Sequence, residues 1–271
     1  MKKIRLVTLF SGYDSQAMSL ERIKQVKPDF DYELVRWCEI DENAIKAHNL
    51  CFPEYADRNL GDITKVDWEK VKDEVGDIDL LTFSSPCQDF SAAGLMKGGE
   101  RGSRTRSSLL WEVEKAIIAL NPKYLMLENV KNLVSKKFKP LFFRWLRLLE
   151  DYGYKSYWKV LNAKDYGIPQ NRERVFCISI RNDVSDAPYV FPEPFELKTK
   201  LKDVLEENVD DKYYLSEKSI EGFLKHNENH ENKGTGFIWS PKDLNKDGSA
   251  NCLRSNSALC PTDNTIYYED V

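Results

Sequence analysis

Short apolar runs alternate with charged, helix-forming stretches from the N-terminus to about residue 181. The run Ile4-Arg5-Leu6-Val7-Thr8-Leu9-Phe10 predicts a first strand, and the segment after Ser15 a helix to about Lys27. Leu34-Val35-Arg36-Trp37-Cys38 predicts a second strand, and Asp41 the N-cap of a helix over 42–50. A helix over 68–75 precedes the run Leu80-Leu81-Thr82-Phe83, whose lack of alternation marks a strand buried on both faces. Leu109, Val113, Ile117 and Leu120 fall on one face of a helix over 107–120. Strands at 123–127 and 155–161 flank a further helix over 136–152. This alternation predicts an α/β fold with a doubly wound, mostly parallel sheet. From about Asn182 the pattern changes: Pro188, Pro192 and Pro194 crowd together, and only one helix (216–225) and short polar strands follow. The chain thus divides into a sheet domain, 1–181, and a small, mainly β region, 182–271.

Composition adds limits. The chain has 271 residues, 41% of them hydrophobic, enough for one large core with an appendage. No apolar run approaches the roughly 20 residues of a membrane span, and the start does not read as a signal peptide. Six cysteines lack metal-like spacing, so no metal is expected; reduced thiols and a cytoplasmic location, nucleoid-associated or phage-encoded, are the reading. The net charge of −4 hides an asymmetry. Residues 97–181 carry 18 basic and 8 acidic side chains, while the segments before and after are net −6 and −8. The middle of the chain is where a phosphate backbone would be held, unless its cations only decorate helix surfaces.

Candidate chemistry gathers at predicted strand ends. The turn Ser11-Gly12-Tyr13-Asp14-Ser15, between a strand and a helix, offers outward backbone N–H groups to a nucleotide-like ligand. Glu39, ending the second strand, suits a pair of ribose hydroxyls. Cys87 follows the buried third strand through Ser84-Ser85-Pro86; there a nucleophile is favoured over an inert core thiol. Glu128 closes the next strand, where a buried carboxylate needs partners. Arg172 and Arg174 share a face if one strand carries both. The segment 96–106 is rich in Gly, Ser, Lys and Arg, a lid for phosphates to order or a plain surface loop. No Gly-x-Gly-x-x-Gly follows the first strand, which argues against a nicotinamide dehydrogenase.

Three of these stretches carry a family resemblance. Pro86-Cys87-Gln88 with Phe90-Ser91 resembles the catalytic loop of the cytosine-C5 DNA methyltransferases. Glu128-Asn129-Val130 resembles a second family motif. The longest match is Gly167-Ile168-Pro169-Gln170-Asn171-Arg172-Glu173-Arg174, to the family's Gly-x-Pro-Gln-x-Arg-x-Arg segment. The motifs stand in the family's order. At the first turn Phe10, Ser11 and Gly12 match Phe-x-Gly-x-Gly-Gly, but Asp14 and Ser15 replace the later glycines.

The resemblance implies a Rossmann-like fold using S-adenosyl-L-methionine, held by Phe10, Ser11, Gly12, Tyr13 and Asp14 and by Glu39 at the ribose. Ile40, Asp62 and Ile63 would meet the adenine, with Pro86 and Leu109 completing the cofactor set. It implies catalysis by Cys87, Glu128, Arg172 and Arg174 on a cytosine flipped out of double-stranded DNA. Contacts to that DNA would come from Gln88, Ser91, Lys97, Arg101, Arg104, Arg106 and Gln170. Residues 182–271 would be a partial target-recognition region. The Arg-and-Leu-rich segment and closing helix that follow in the family have no match before Val271. The chain therefore resembles a fragment, a degenerate copy, or one subunit of a split enzyme whose partner supplies that helix. Two other readings stay open: a partner-dependent or inactive DNA-binding relic, and an RNA (tRNA) cytosine methyltransferase.

Overall fold

The computed structural model describes residues 3–86, 109–231, 238–244, 248–253 and 264–267. The chain divides into two compact units, one of 1–160 with 174–191, the other of 161–173 with 192–271. The segment 161–173 thus groups with the C-terminal residues, where the sequence placed it with the sheet domain.

The first unit is built on a six-stranded sheet. Its strands are β1 (Ile4–Leu9), β2 (Tyr32–Cys38), β3 (Leu80–Phe83), β4 (Tyr124–Val130), β5 (Tyr154–Asn162) and β7 (Glu173–Arg181), in the order β2-β1-β3-β4-β7-β5. The first four are mutually parallel, and β7 runs antiparallel to β4. The doubly wound, mostly parallel sheet read from the apolar runs is therefore present. From β1 the chain steps outward to β2 and then returns past β1 to β3. That reversal opens a crevice beyond the carboxyl ends of β1 and β3, the place where such sheets take ligands.

Helices cover both faces. Helices α1 (Ser15–Val26) and α2 (Glu42–Cys51) pack over a cluster of Leu6, Ala17, Tyr32, Leu34, Trp37 and Phe52. The larger cluster on the other face takes Val7 and Leu9, the next side of the same strand, with α3 (Trp68–Val75), α4 (Leu110–Leu120) and α5 (Lys139–Asp151). In α5, Leu141, Phe142, Trp145 and Leu149 recur at helical spacing and are all buried. Each such side chain contributes about 1.5–3 kcal/mol through removal from water.

Asp14, Asp41 and Asp67 cap α1, α2 and α3 by accepting backbone amides of the first turn. These caps fix where each helix begins relative to the strand end before it.

The second unit holds the short strands β6 (Gln170–Asn171), β8 (Lys242–Asp243), β9 (Ala250–Asn251) and β10 (Ile266–Tyr267), and helix α6 (Glu217–Glu231). Strand β6 pairs with β9, and β10 with β8, in two small parallel ladders. The helix read at 216–225 extends to Glu231, and its side chains are not buried.

Candidate active site

The turn after β1 is conformationally unusual. Phe10, Gly12 and Asp14 take left-handed backbone angles, with φ of 56°, 58° and 66°. Glycine adopts that region freely; aspartate tolerates it better than most residues, and phenylalanine does not. The turn is held by contacts on either side. Ser11 N donates to Cys38 O at 3.0 Å, which binds it to the end of β2. Gly12 N donates to Glu39 Oε2 at 2.9 Å.

Glu39 is more than a free acid at a strand end. Its Oε1 accepts the backbone amides of Ile40 (2.8 Å) and Asp41 (2.9 Å) while Oε2 accepts Gly12. Three amides fix the carboxylate and leave acceptor capacity for a ligand. Asn59 supports this corner from the next loop: its Oδ1 accepts Glu39 N at 3.2 Å and its Nδ2 donates to Glu39 O at 3.1 Å. Sequence reasoning gave Asn59 no role, because its partner Glu39 lies on another element, far away in the chain.

Flanking this carboxylate are two large exposed side chains, Ile40 (67%) and Tyr13 (55%). Asp62 accepts Thr64 N and Thr64 Oγ1, and these hydrogen bonds, the hydroxyl first, hold it below the usual carboxylate range. It caps a short 3-10 turn, Ile63–Lys65, while Asp67 caps α3. Ile63 is buried in the larger core cluster. Asp14 is turned inward, fully buried, accepting Thr8 Oγ1 at 2.6 Å and Ala17 N at 2.9 Å. Its backbone shapes the turn; its carboxylate does not face out of it.

The second cluster lies at the ends of β3 and β4. Along β4, Leu125, Leu127 and Asn129 are buried on one face and Glu128 is on the other. In the antiparallel ladder Val130 stands opposite Arg174, so Arg174 is the diagonal neighbour of Glu128 on its face. Arg174 Nε lies 3.2 Å from Glu128 Oε1, with both side chains about one-fifth exposed. Asn129 donates to Ser85 O at 3.1 Å and Ser85 Oγ at 3.3 Å, and accepts Val130 N. It ties the end of β4 to the segment that leads through Pro86 into Cys87. Gln16 Nε2 donates to Ser84 Oγ at 2.8 Å, which links the same segment to α1 and the first turn.

Cys87, Gln88, Ser91, Lys97, Arg101, Arg104 and Arg106 lie outside the described residues. Leu109 sits at the start of α4 and packs on the core cluster. Arg172 and Arg174 do not share one continuous strand as expected. Strand β6 ends at Asn171 and β7 begins at Glu173. In the break, Arg172 N donates to Gln170 O and Asn162 Oδ1, so simple alternation does not run through it. Arg172 Nη1 meets Cys252 Sγ at 3.5 Å in the second unit. Gln170 Oε1 accepts Leu253 N at 3.4 Å there.

The two buried thiols among the described residues, Cys38 and Cys177, are poor rivals for the nucleophile's part. Burial, with help from the charges of Glu39 and Asp62, pushes the Cys38 thiol up to about 12. Burial does the same to Cys177, also to about 12. Among the described residues, no three His, Cys, Asp or Glu side chains group as metal ligands.

A doubly wound sheet with an anchored acid at the end of β2 and a carboxylate–guanidinium pair on β4 and β7 defines a class: open α/β proteins with polar side chains gathered at the strand ends, where such sheets take ligands. Comparison with known proteins narrows it. The family model for C-5 cytosine-specific DNA methylases matches residues 4–266, and the chain belongs to that family. The Type II methyltransferase M2.ScrFI of Lactococcus lactis subsp. cremoris is 51% identical over 175 residues, 65% of this chain and 47% of its own length. The Type II methyltransferase M.NlaX of Neisseria lactamica is 31% identical over 266 residues, covering 98% of this chain and 76% of its own. The chain thus spans about half the length of the first relative and three-quarters of the second. Among solved structures, the Entamoeba histolytica methyltransferase EhMeth superposes with a TM-score of 0.69 at 19% identity. That match covers 93% of this chain and 71% of the other, and concerns the fold alone.

Proposed function

We propose that the chain transfers a methyl group from S-adenosyl-L-methionine to C5 of a cytosine flipped out of double-stranded DNA, through a covalent Cys87–C6 adduct. The observation that carries this reading is the Glu128–Arg174 pair, 3.2 Å apart and joined through Asn129 to the segment that delivers Cys87. The residues of the first turn fit the cofactor. Glu39, held by three amides, would accept the ribose hydroxyls, and exposed Ile40 and Tyr13 would cover apolar parts of the nucleoside. Asp62 would face the adenine amino group. When bound, the cofactor supplies an electrophilic methyl group.

The chain's own residues act on the base. The Cys87 thiolate forms a bond to C6, which makes C5 nucleophilic. The reading requires cationic or helix N-terminal groups beside that thiol to favour the thiolate, a part it gives to Arg174. Glu128 donates its proton at N3, accepting the charge that addition at C6 places on the ring. Arg174 steadies Glu128 and holds the O2 oxygen; Arg172 steadies the neighbouring loop. Once C5 is methylated, its proton passes to water, the electron pair left behind re-forms the C5–C6 double bond and expels the Cys87 thiolate, and N3 returns its proton to Glu128. Flipping the base costs a few kcal/mol, which contacts from 96–106 to phosphates would offset.

The test is transfer of a radiolabelled methyl group by the full chain to mixed-sequence duplex DNA, with tRNA as a parallel substrate. Label in DNA cytosine, absent in Cys87→Ser while cofactor affinity stays within a few-fold, is expected. Label in tRNA alone, or normal turnover by Cys87→Ser, overturns the reading.

A further inference from the structure

We propose that His48, a residue outside every matched motif, is a positioning residue for the cofactor turn, acting through Asp14; this rests on the cofactor reading above. Asp14 stands where the family pattern has glycine, and it keeps the left-handed backbone that glycine would supply, with φ of 66°. The exchange brings a carboxylate into the interior, at 0% exposure, where an ionised group needs compensation. Thr8 Oγ1 and Ala17 N supply two hydrogen bonds, and the N-terminus of α1 adds its dipole.

A further compensating group comes from α2. His48 Nε2 lies 3.7 Å from Asp14 Oδ2, and the imidazole is also at 0% exposure. Its ring stacks on Trp37 at 3.7 Å and 16°, and tilts against Phe52 at 5.3 Å. Two aromatic neighbours set the ring plane and aim Nε2 at the carboxylate. Neither ring nitrogen makes a hydrogen bond among the described residues. The separation is long for a direct hydrogen bond, yet both groups are fully buried, and in so low a dielectric an Nε2–H aimed at the carboxylate is attracted strongly for its length. Without Asp14 the imidazole would have no polar group facing it among the described residues, and without His48 the buried carboxylate would lose one of its compensating groups.

The pair reaches the turn through short links. Asp14 Oδ2 accepts Thr8 Oγ1, which is 2.8 Å from Ser11 Oγ, and Ser11 N is bound to the end of β2 beside Glu39. Loosening Asp14 therefore loosens the turn on which Glu39 and Gly12 converge. The consequence falls on cofactor affinity; the chemistry at the base lies on β3, β4 and β7.

The experiment is a double-mutant cycle on the full chain, reading S-adenosyl-L-methionine affinity by calorimetry and kcat at saturating cofactor. His48→Phe keeps the stacked ring and removes both nitrogens. Cofactor affinity should fall about tenfold, with kcat within about twofold. His48→Gln, which restores an N–H donor, should recover part of the loss. In an Asp14→Gly background, which restores the family's residue, His48→Phe should change affinity by less than about twofold. Wild-type affinity in His48→Phe, or the same loss in both backgrounds, overturns the proposal. Should the wild-type chain bind no cofactor, the function reading fails, and the pair is judged by long-range ¹⁵N–¹H spectra of the unliganded protein. With only three histidines in the chain, the His48 signals are resolvable. A proton on Nε2, with ring shifts that move in Asp14→Gly, supports the pair; shifts indifferent to Asp14 refute it.

Discussion

Glu39 and Glu128, the two acids of the proposed site, are held by partners distant in sequence. Glu128 is the clearest. Its identity and strand-end placement were readable, because a carboxylate after Tyr124-Leu125-Met126-Leu127 stands out. Its partner Arg174 was readable as a member of the site, but their diagonal apposition depends on ladder register, which a strand's own residues do not encode. Glu128→Gln keeps the shape and removes the acid; methyl transfer should slow by at least about 10²-fold while cofactor affinity is kept. Single-turnover kinetics check this, and a loss under about fivefold would deny Glu128 the acid's part. Asn59, Asn129 and His48 were not legible as partners. Each works on a residue elsewhere in the chain, and polar residues of that kind look like ordinary loop or helix content until the fold brings them together.

At the scale of elements, what was legible is periodic. The buried parallel strand at Leu80–Phe83, the amphipathic α4 and α5, and the Asp41 cap follow from residue spacing alone. Alternation failed at Arg172 because local hydrogen bonds from Asn162 and Gln170 interrupt the strand there. Strand order was implied only in class, since which parallel strand lies beside which is decided by helix packing. The β3–β4 junction depends on Asn129. Asn129→Ala removes two donations to Ser85 and leaves Ser85 O without them, which should cost about 1–3 kcal/mol of stability. Because the link runs to the segment before Cys87, kcat should fall further than cofactor affinity. Denaturant unfolding and steady-state kinetics on one preparation test both halves. An unchanged kcat in a destabilised variant would leave Asn129 a packing residue only.

For the whole molecule, the two compact units and the charge map carry different information. The unit boundary at 191/192 lies near the compositional change at Asn182, while the excursion of 161–173 has no compositional mark. Burial also sets a pH response. The Cys38 and Cys177 thiols, pushed up to about 12, bind their protons more tightly folded than unfolded. Their contribution to stability is complete below the unfolded value of about 8.5 and is lost as pH rises toward the folded one. The urea midpoint should therefore drop above pH ~8.5 and flatten in a Cys38→Ala, Cys177→Ala double variant. A midpoint equally steep in both proteins would assign the response elsewhere.

The most direct measurement is to trap the proposed adduct. Mixed-sequence duplex DNA carrying 5-fluorocytosine has no C5 proton to lose, so the step that releases Cys87 is blocked. Incubated with S-adenosyl-L-methionine and the full chain, it should give a denaturant-resistant protein–DNA complex, with peptide mapping placing the bond at Cys87. No complex from a preparation that methylates ordinary DNA, or a bond mapped to any other residue, would contradict the account.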